Sequence, residues 1–397
     1  MSYFENNTVD DVCVSQPFFS IILPTKNRSE LIGRVINSVL SQDFDDYELI
    51  VVDNDDVDSD GTESIVSSYN DEHIKYFRTG DLSMAENWNY GFSHSSGKYI
   101  TLIRDKAIYL PGVLSKLYHI LSNTNYDSLC WDEEILDFGT NRSEGSGKIT
   151  EHLSKDMVDM LLRMEHREYA FLRYSLPKTS NSCLSRRLYQ KIIDKTGTLA
   201  MENAPDYTVA YQILFNTDSV YNVDLSISNR FNSDVKYSTG AQHDYGYLQS
   251  AVNNMNSKST DILIVDSQPL KVTNTETIVI SDFFRVARLN GYSYSFDDFD
   301  CRNYFKTTYL NTVKRQASAY PDNKDYFKNL KLKITQTMRD TYVSGLKSDL
   351  FVCWMYNVFY LRIWIFVNQM YLRLKSVLPA KVLTSIIKVY RKLICAS

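Results

Sequence analysis

The stretch FFSIILPTKNRSELIGRVINSVLSQDFDDYELIVVD, residues 18–53, decides the fold. It opens with an apolar run, Phe18 to Leu23, bounded by Pro17 and Pro24, which reads as a buried strand. Ser29 is placed to cap a helix reaching about Ser41, with Leu31, Ile32, Val35, Ile36, Val39 and Leu40 at helical spacing. Tyr47 to Val52 is a second buried strand, ending at Asp53. Strand, helix and strand in that order form a βαβ unit.

The alternation continues outward. A short helix is expected around Thr62 to Tyr69, a strand at His73 to Phe77, a helix at Met84 to His94, and a strand at Lys98 to Ile103 that runs into Arg104-Asp105-Lys106. Strands separated by helical segments imply an α/β fold with a parallel, doubly wound sheet. Such sheets bind ligands at the carboxyl ends of their strands. That rule singles out Thr25 to Arg28, Asp53 to Asp55, and Arg104 to Lys106.

Further along, strands are expected at Tyr126 to Trp131 and Ile135 to Phe138, then a Gly/Ser-rich loop from Gly139 to Gly147. Helices are expected at Ser154 to Met164, at Ser185 to Lys195 and after Pro205, with a strand at Val220 to Ile227. Residues 232–260 are rich in Ser, Asn, Gly and Tyr, which marks the end of a domain. The predicted organisation is an N-terminal tail (1–16), an α/β domain (17–240), a mainly helical C-terminal region (241–345) and a tail (346–397).

A chain of 397 residues is long enough for one large domain and an appendage. Its six cysteines form no CxxC pair, which argues against a zinc site and a disulfide framework and favours a reducing cytosolic compartment. The polar, acidic opening MSYFENNTVDD does not read as a signal peptide. No GxGxxG follows the first strand, against a dinucleotide-dependent oxidoreductase, and the body carries no basic patch for nucleic acid.

Charge is uneven along the chain. From Leu346 onward eight basic residues oppose a single Asp349, giving +7 and leaving −12 for the rest of a chain whose net charge is −5. In that tail Val382, Leu383, Ile386, Ile387, Tyr390, Leu393 and Ile394 share one helical face, with Lys381, Lys388, Arg391 and Lys392 on the other. Such a segment suits an anionic membrane surface, reached through residues 350–397. A helical hairpin packed on the body, or on a second copy in a homodimer, is the alternative.

Four pieces in order resemble the family 2 glycosyltransferases, inverting enzymes with the Rossmann-like GT-A fold. They are SIILPTKNR (20–28), ELIVVDNDDVDSDGT (48–62), LSMAENWNYGFSHSSGKYITLIRD (82–105) and the stretch from Asp105 to Gly112 ending in L-PG. A looser resemblance continues through ENAPDYTVAYQIL (202–214). The resemblance implies displacement of a sugar from a nucleoside diphosphate, UDP being the usual one, by an acceptor hydroxyl. It implies that Pro24, Thr25, Asn27 and Arg28 line the nucleotide pocket, that Asp53 and Asp55 contact base and ribose, and that Asn87, with Trp88 beside it, faces a sugar. Asp206 then matches the general base, with Glu202 as a weaker candidate outside the motif.

The metal motif departs from the family pattern. Family members carry two or three aspartates where this chain reads Asp105, Lys106, Ala107. Two readings stay open. Asp105 binds Mn²⁺ or Mg²⁺ with help from another ligand such as His243, or Lys106 or Arg104 stabilises the departing diphosphate without metal. The resemblance further implies a glycan or lipid-linked acceptor in bacterial surface polysaccharide synthesis, hence a cytoplasmic protein at the inner face of the membrane. The altered motif also fits a catalytically degenerate homologue that binds nucleotide sugar or scaffolds an assembly.

Overall fold

The computed structural model describes residues 16–55, 61–131, 145–165, 175–230, 270, 275–294, 298–318, 324–341 and 346–358. The chain divides into two compact units, Met1–Lys155 with Tyr174–Asn232, and Asp156–Arg173 with Ser233–Ser397. The expected strand at Ile135 to Phe138, most of the loop after it, and the amphipathic segment from Val377 on lie outside the described residues.

In the first unit β1 (Phe19–Thr25) and β2 (Tyr47–Asp53) are buried along their whole length and pair in parallel, Thr25 opposite Asp53. Their apolar runs have no polar face because α1 (Ser29–Leu40) lays Leu31, Ile32, Val35, Ile36 and Val39 into the core. Each such side chain contributes about 1.5–3 kcal/mol on burial. The cap of α1 is Arg28 rather than Ser29, with no side-chain hydrogen bond, so Ser29 is the first helical residue. Then come α2 (Thr62–Ser67), β3 (Ile74–Arg78), α3 (Met84–Ser93) and β4 (Tyr99–Leu102), close to their expected bounds. Ser83 and Glu86 close a reciprocal capping box at the start of α3.

The rest of the unit is β5 (Ala107–Tyr109), α4 (Val113–Ser122), β6 (Ser128–Trp131), β7 (Ile149–Leu153), β8 (Ser182–Ser185), α6 (Arg186–Thr196), α7 (Pro205–Asn216), β9 (Ser219–Val223) and β10 (Ser228–Arg230), with α5 (Ser154–Arg163) leading out of it after β7. The main sheet has the order β3-β2-β1-β4-β8-β6-β9-β7. The four strands from which a parallel sheet was expected are parallel, and strands further along the chain add antiparallel pairs. β8 runs antiparallel to both β4 and β6, and β7 antiparallel to β9. β8 is a four-residue SCLS, too short to show a period, and β7 (ITEHL) is an exposed edge strand with no apolar run. The single strand expected at Val220 to Ile227 ends at Val223, and β10 instead pairs with β5 in a separate ribbon.

The second unit is helical, as expected for the C-terminal region: α8 (Thr275–Leu289), α9 (Cys301–Ser318), α10 (Lys324–Thr341) and a helical stretch at 346–358. Phe283, Phe284, Tyr304, Phe305 and Phe327 fill its core. The buried carboxylates there are paired, Glu276 with the Asn311 amide at 3.0 Å and Asp282 with Arg285 at 2.9 Å. Among the described residues no helix is long and apolar enough to cross a membrane.

Candidate active site at the carboxyl rim of the sheet

β1, β2 and β4 run parallel, so their carboxyl ends share one edge of the sheet. Thr25 ends β1; it is buried and its Oγ1 has no hydrogen-bond partner among the described residues. Pro24 lies opposite Val52 in the ladder. Asn27 turns the chain in the left-handed region at φ 53°, which asparagine tolerates, and its N–H donates to the Asp55 carboxylate. Asp55 therefore shapes the turn that carries Arg28.

Asp53 is buried with both oxygens engaged. Oδ1 accepts from the Asp55 N–H at 2.9 Å and Oδ2 from the Tyr76 hydroxyl at 2.7 Å. Burial, then the Asp53 carboxylate, push the Tyr76 phenol well above its ordinary value. Beside Asp53 opens a cavity of about 290 Å³, lined also by Gly61, Thr62, Glu63, Ser64, Ser67 and Arg78. The sequence reading missed Arg78. Its signal is a basic residue closing the third strand, in register with the carboxylate that closes the second.

Asn87 does not present a free amide to a sugar. Its Nδ2 donates to Val52 O at 3.1 Å and Asn54 Oδ1 at 3.2 Å, and its Oδ1 accepts from Thr79 Oγ1 at 2.5 Å. It clamps α3 to the end of β2, and Trp88 next to it is buried.

Past β4 the charges alternate. Arg28 Nη1 lies 2.5 Å from Asp105 Oδ1, both largely buried. Arg104 Nη2 lies 3.9 Å from Asp206 Oδ2. Lys106 follows directly in the chain. Asp206 sits in the first turn of α7 and is the single residue of that twelve-residue helix that is not buried. Glu202, in contrast, accepts a hydrogen bond from Ser83 Oγ, the cap of α3. Among the described residues no group of three or more His, Cys, Asp or Glu could hold a metal ion. His243 lies outside the described residues.

A second feature of the rim escaped the sequence reading. Because β8 is antiparallel, the 3₁₀ turn Thr179–Asn181 that feeds it arrives where β4 and β6 end. Asn181 Nδ2 donates to Trp131 O at 2.8 Å, while Trp131 Nε1, Thr179 Oγ1, Ser180 Oγ and Asn181 Oδ1 are buried with no hydrogen-bond partner among the described residues. Lys178 stacks its ammonium 5.3 Å from the centroid of the Tyr207 ring, tying this turn to α7.

Residues 20–178 match the family model described as Glycosyl transferase family 2. This segment belongs to that family. The family and the sheet order together make the first unit a Rossmann-like GT-A domain. A curated relative from Campylobacter jejuni, GalNAc(5)-diNAcBac-PP-undecaprenol beta-1,3-glucosyltransferase, is 36% identical over 136 residues, 33% of this chain and 43% of the relative. The putative colanic acid biosynthesis glycosyl transferase WcaA of Escherichia coli is 35% identical over 102 residues, 25% of this chain and 37% of its own. Both alignments thus span less than half of the relative. Among solved structures, Staphylococcus aureus TarS 1–349 in complex with UDP-GlcNAc superposes with a TM-score of 0.45 at 16% identity, covering 83% of this chain and 95% of that one.

Proposed function

We propose that the chain is an inverting glycosyltransferase that moves a sugar from a nucleoside diphosphate, UDP first among them, to a hydroxyl of a lipid-linked glycan acceptor. The observation that carries the reading is Asp206. It alone breaks the burial of α7, and it does so beside Arg104 at the carboxyl rim of the sheet. A carboxylate in that position can accept the acceptor proton as the new bond forms. Thr25, Asn27, Asp53, Asp55 and the cavity shared with Arg78 serve the nucleoside.

The name of the Campylobacter jejuni relative, which carries a PP-undecaprenol, supports the acceptor class. Phe351, Val352 and Trp354 stand exposed at the start of the basic tail, in keeping with a peripheral attachment to the inner membrane face through residues 350–397.

The test is turnover of UDP-, GDP- and dTDP-sugars by the wild type and by Asp206→Asn, with donor binding measured in parallel. General-base catalysis contributes about 10²–10⁴-fold. Asp206→Asn should therefore lose at least a hundredfold in turnover while binding the donor as before. Equal turnover in the two proteins would remove Asp206 from the chemistry, and a wild type that binds donor without turnover would make the chain a nucleotide-sugar-binding subunit.

A further inference from the structure

The GT-A family implies a divalent cation beside the departing diphosphate, and the described residues do not suit one. Hard cations of this kind want several oxygen ligands, with carboxylates foremost. At the position of the family's aspartate cluster this chain offers Asp105, and Asp105 Oδ1 is already engaged with Arg28 Nη1 at 2.5 Å. Its sequence neighbours are Arg104 and Lys106, two cations that repel a third. Arg28 itself is fixed from three sides. The backbone turn before it is held by the Asn27–Asp55 hydrogen bond, its own residue caps α1, and its guanidinium rests on a carboxylate that is only 5% exposed.

We propose that Arg28, positioned by Asp105, meets the departing diphosphate in place of a metal ion. The inference rests on the donor reading given above. In the transfer, the bond between the sugar C1 and the β-phosphate oxygen breaks and its electron pair stays with that oxygen. The acceptor oxygen bonds to C1 as its proton passes to the Asp206 carboxylate. The leaving nucleoside diphosphate therefore gains one negative charge, and a preorganised guanidinium donates to it through a planar fork. Asp105 is then a positioning residue that orients Arg28 and touches neither donor nor acceptor.

The test is calorimetric titration of the full chain with UDP, GDP and the nucleosides uridine and guanosine, each in Mn²⁺ and in EDTA. The expected result is one nucleoside diphosphate that binds within twofold of the same affinity in both media. Arg28→Gln should weaken that diphosphate at least tenfold and leave the nucleoside unchanged, which a general loss of structure could not do. Arg28→Lys should recover part of the loss, and Asp105→Asn should weaken the diphosphate several-fold in EDTA. Diphosphate binding that needs Mn²⁺ and vanishes in Asp105→Asn overturns the proposal while leaving the donor reading intact. Failure of every nucleotide to bind in either medium overturns both.

Discussion

Tyr76 hands its phenolic hydrogen to Asp53 Oδ2 across 2.7 Å, from the middle of β3 to the last residue of β2. The partner is an edge strand, so the carboxylate that ends a central strand is oriented from its open flank. Asp53 Oδ1 is held in turn by the Asp55 N–H, and Asp55 holds Asn27. One hydroxyl on the edge thus helps to set the rim of the cavity beside Asp53.

Tyr76→Phe keeps the ring and removes the donor. A hydrogen bond to a charged group contributes about 1.5–3 kcal/mol, so the variant should bind its nucleoside diphosphate roughly tenfold or more weakly. Calorimetry reads this directly, and an unchanged affinity would mean that Asp53 keeps its orientation without the phenol.

Acid should find Glu48. Its carboxylate is 4% exposed and accepts from Lys75 Nζ at 2.6 Å, Ser20 Oγ at 2.5 Å and Ser96 N at 2.6 Å. Burial pushes its pKa up, and the hydrogen bonds from Lys75, Ser20 and Ser96 outweigh burial, leaving it below the ordinary glutamate value. A depressed carboxylate stabilises the fold fully above its unfolded pKa and loses that contribution as pH falls through the folded one. Urea unfolding of wild type and Glu48→Gln should therefore show a gap at pH 7 that closes as the pH drops below about 4.3. A gap of constant size across that range would count against the argument.

Gly97 carries β4 past β1 with no room for a side chain. A Cβ there would lie 2.6 Å from Ser20 N and 2.7 Å from Phe19 C, both backbone atoms that cannot rotate away. Gly97→Ala should lower stability by about 1–3 kcal/mol through forced displacement of the strand pair. The check is the thermal midpoint. Gly33→Ala, whose Cβ would meet only the Tyr69 hydroxyl at 3.3 Å and Ile65 at 3.7 Å, should move it less.

Legibility followed the length of the apolar runs. The elements from Phe19 to Leu102 were readable because β1 and β2 are buried along their whole length and α1 keeps a regular buried face. The candidate residues Arg28, Asp53, Asp55, Arg104, Asp105 and Asp206 were readable as strand-end and helix-start positions. Their pairing was not. Nothing local ties Arg28 to a carboxylate 77 positions away, and Asn87 matched a motif while its amide is spent on Val52, Asn54 and Thr79. β8 and the turn before it stayed hidden because four residues carry no period, so the bond from Asn181 to Trp131 had no signature along the chain.

The reversed strand β8 has one more outcome. In a sheet whose strands all point the same way, every loop at the ligand edge is an exit, tied to the strand before it. Here Thr179–Asn181 enters at that edge while the loops after β1, β2 and β4 leave from it. Two separate stretches of gene therefore write the loops at that edge. A lineage can rewrite the entering stretch without disturbing the loops that leave β1, β2 and β4.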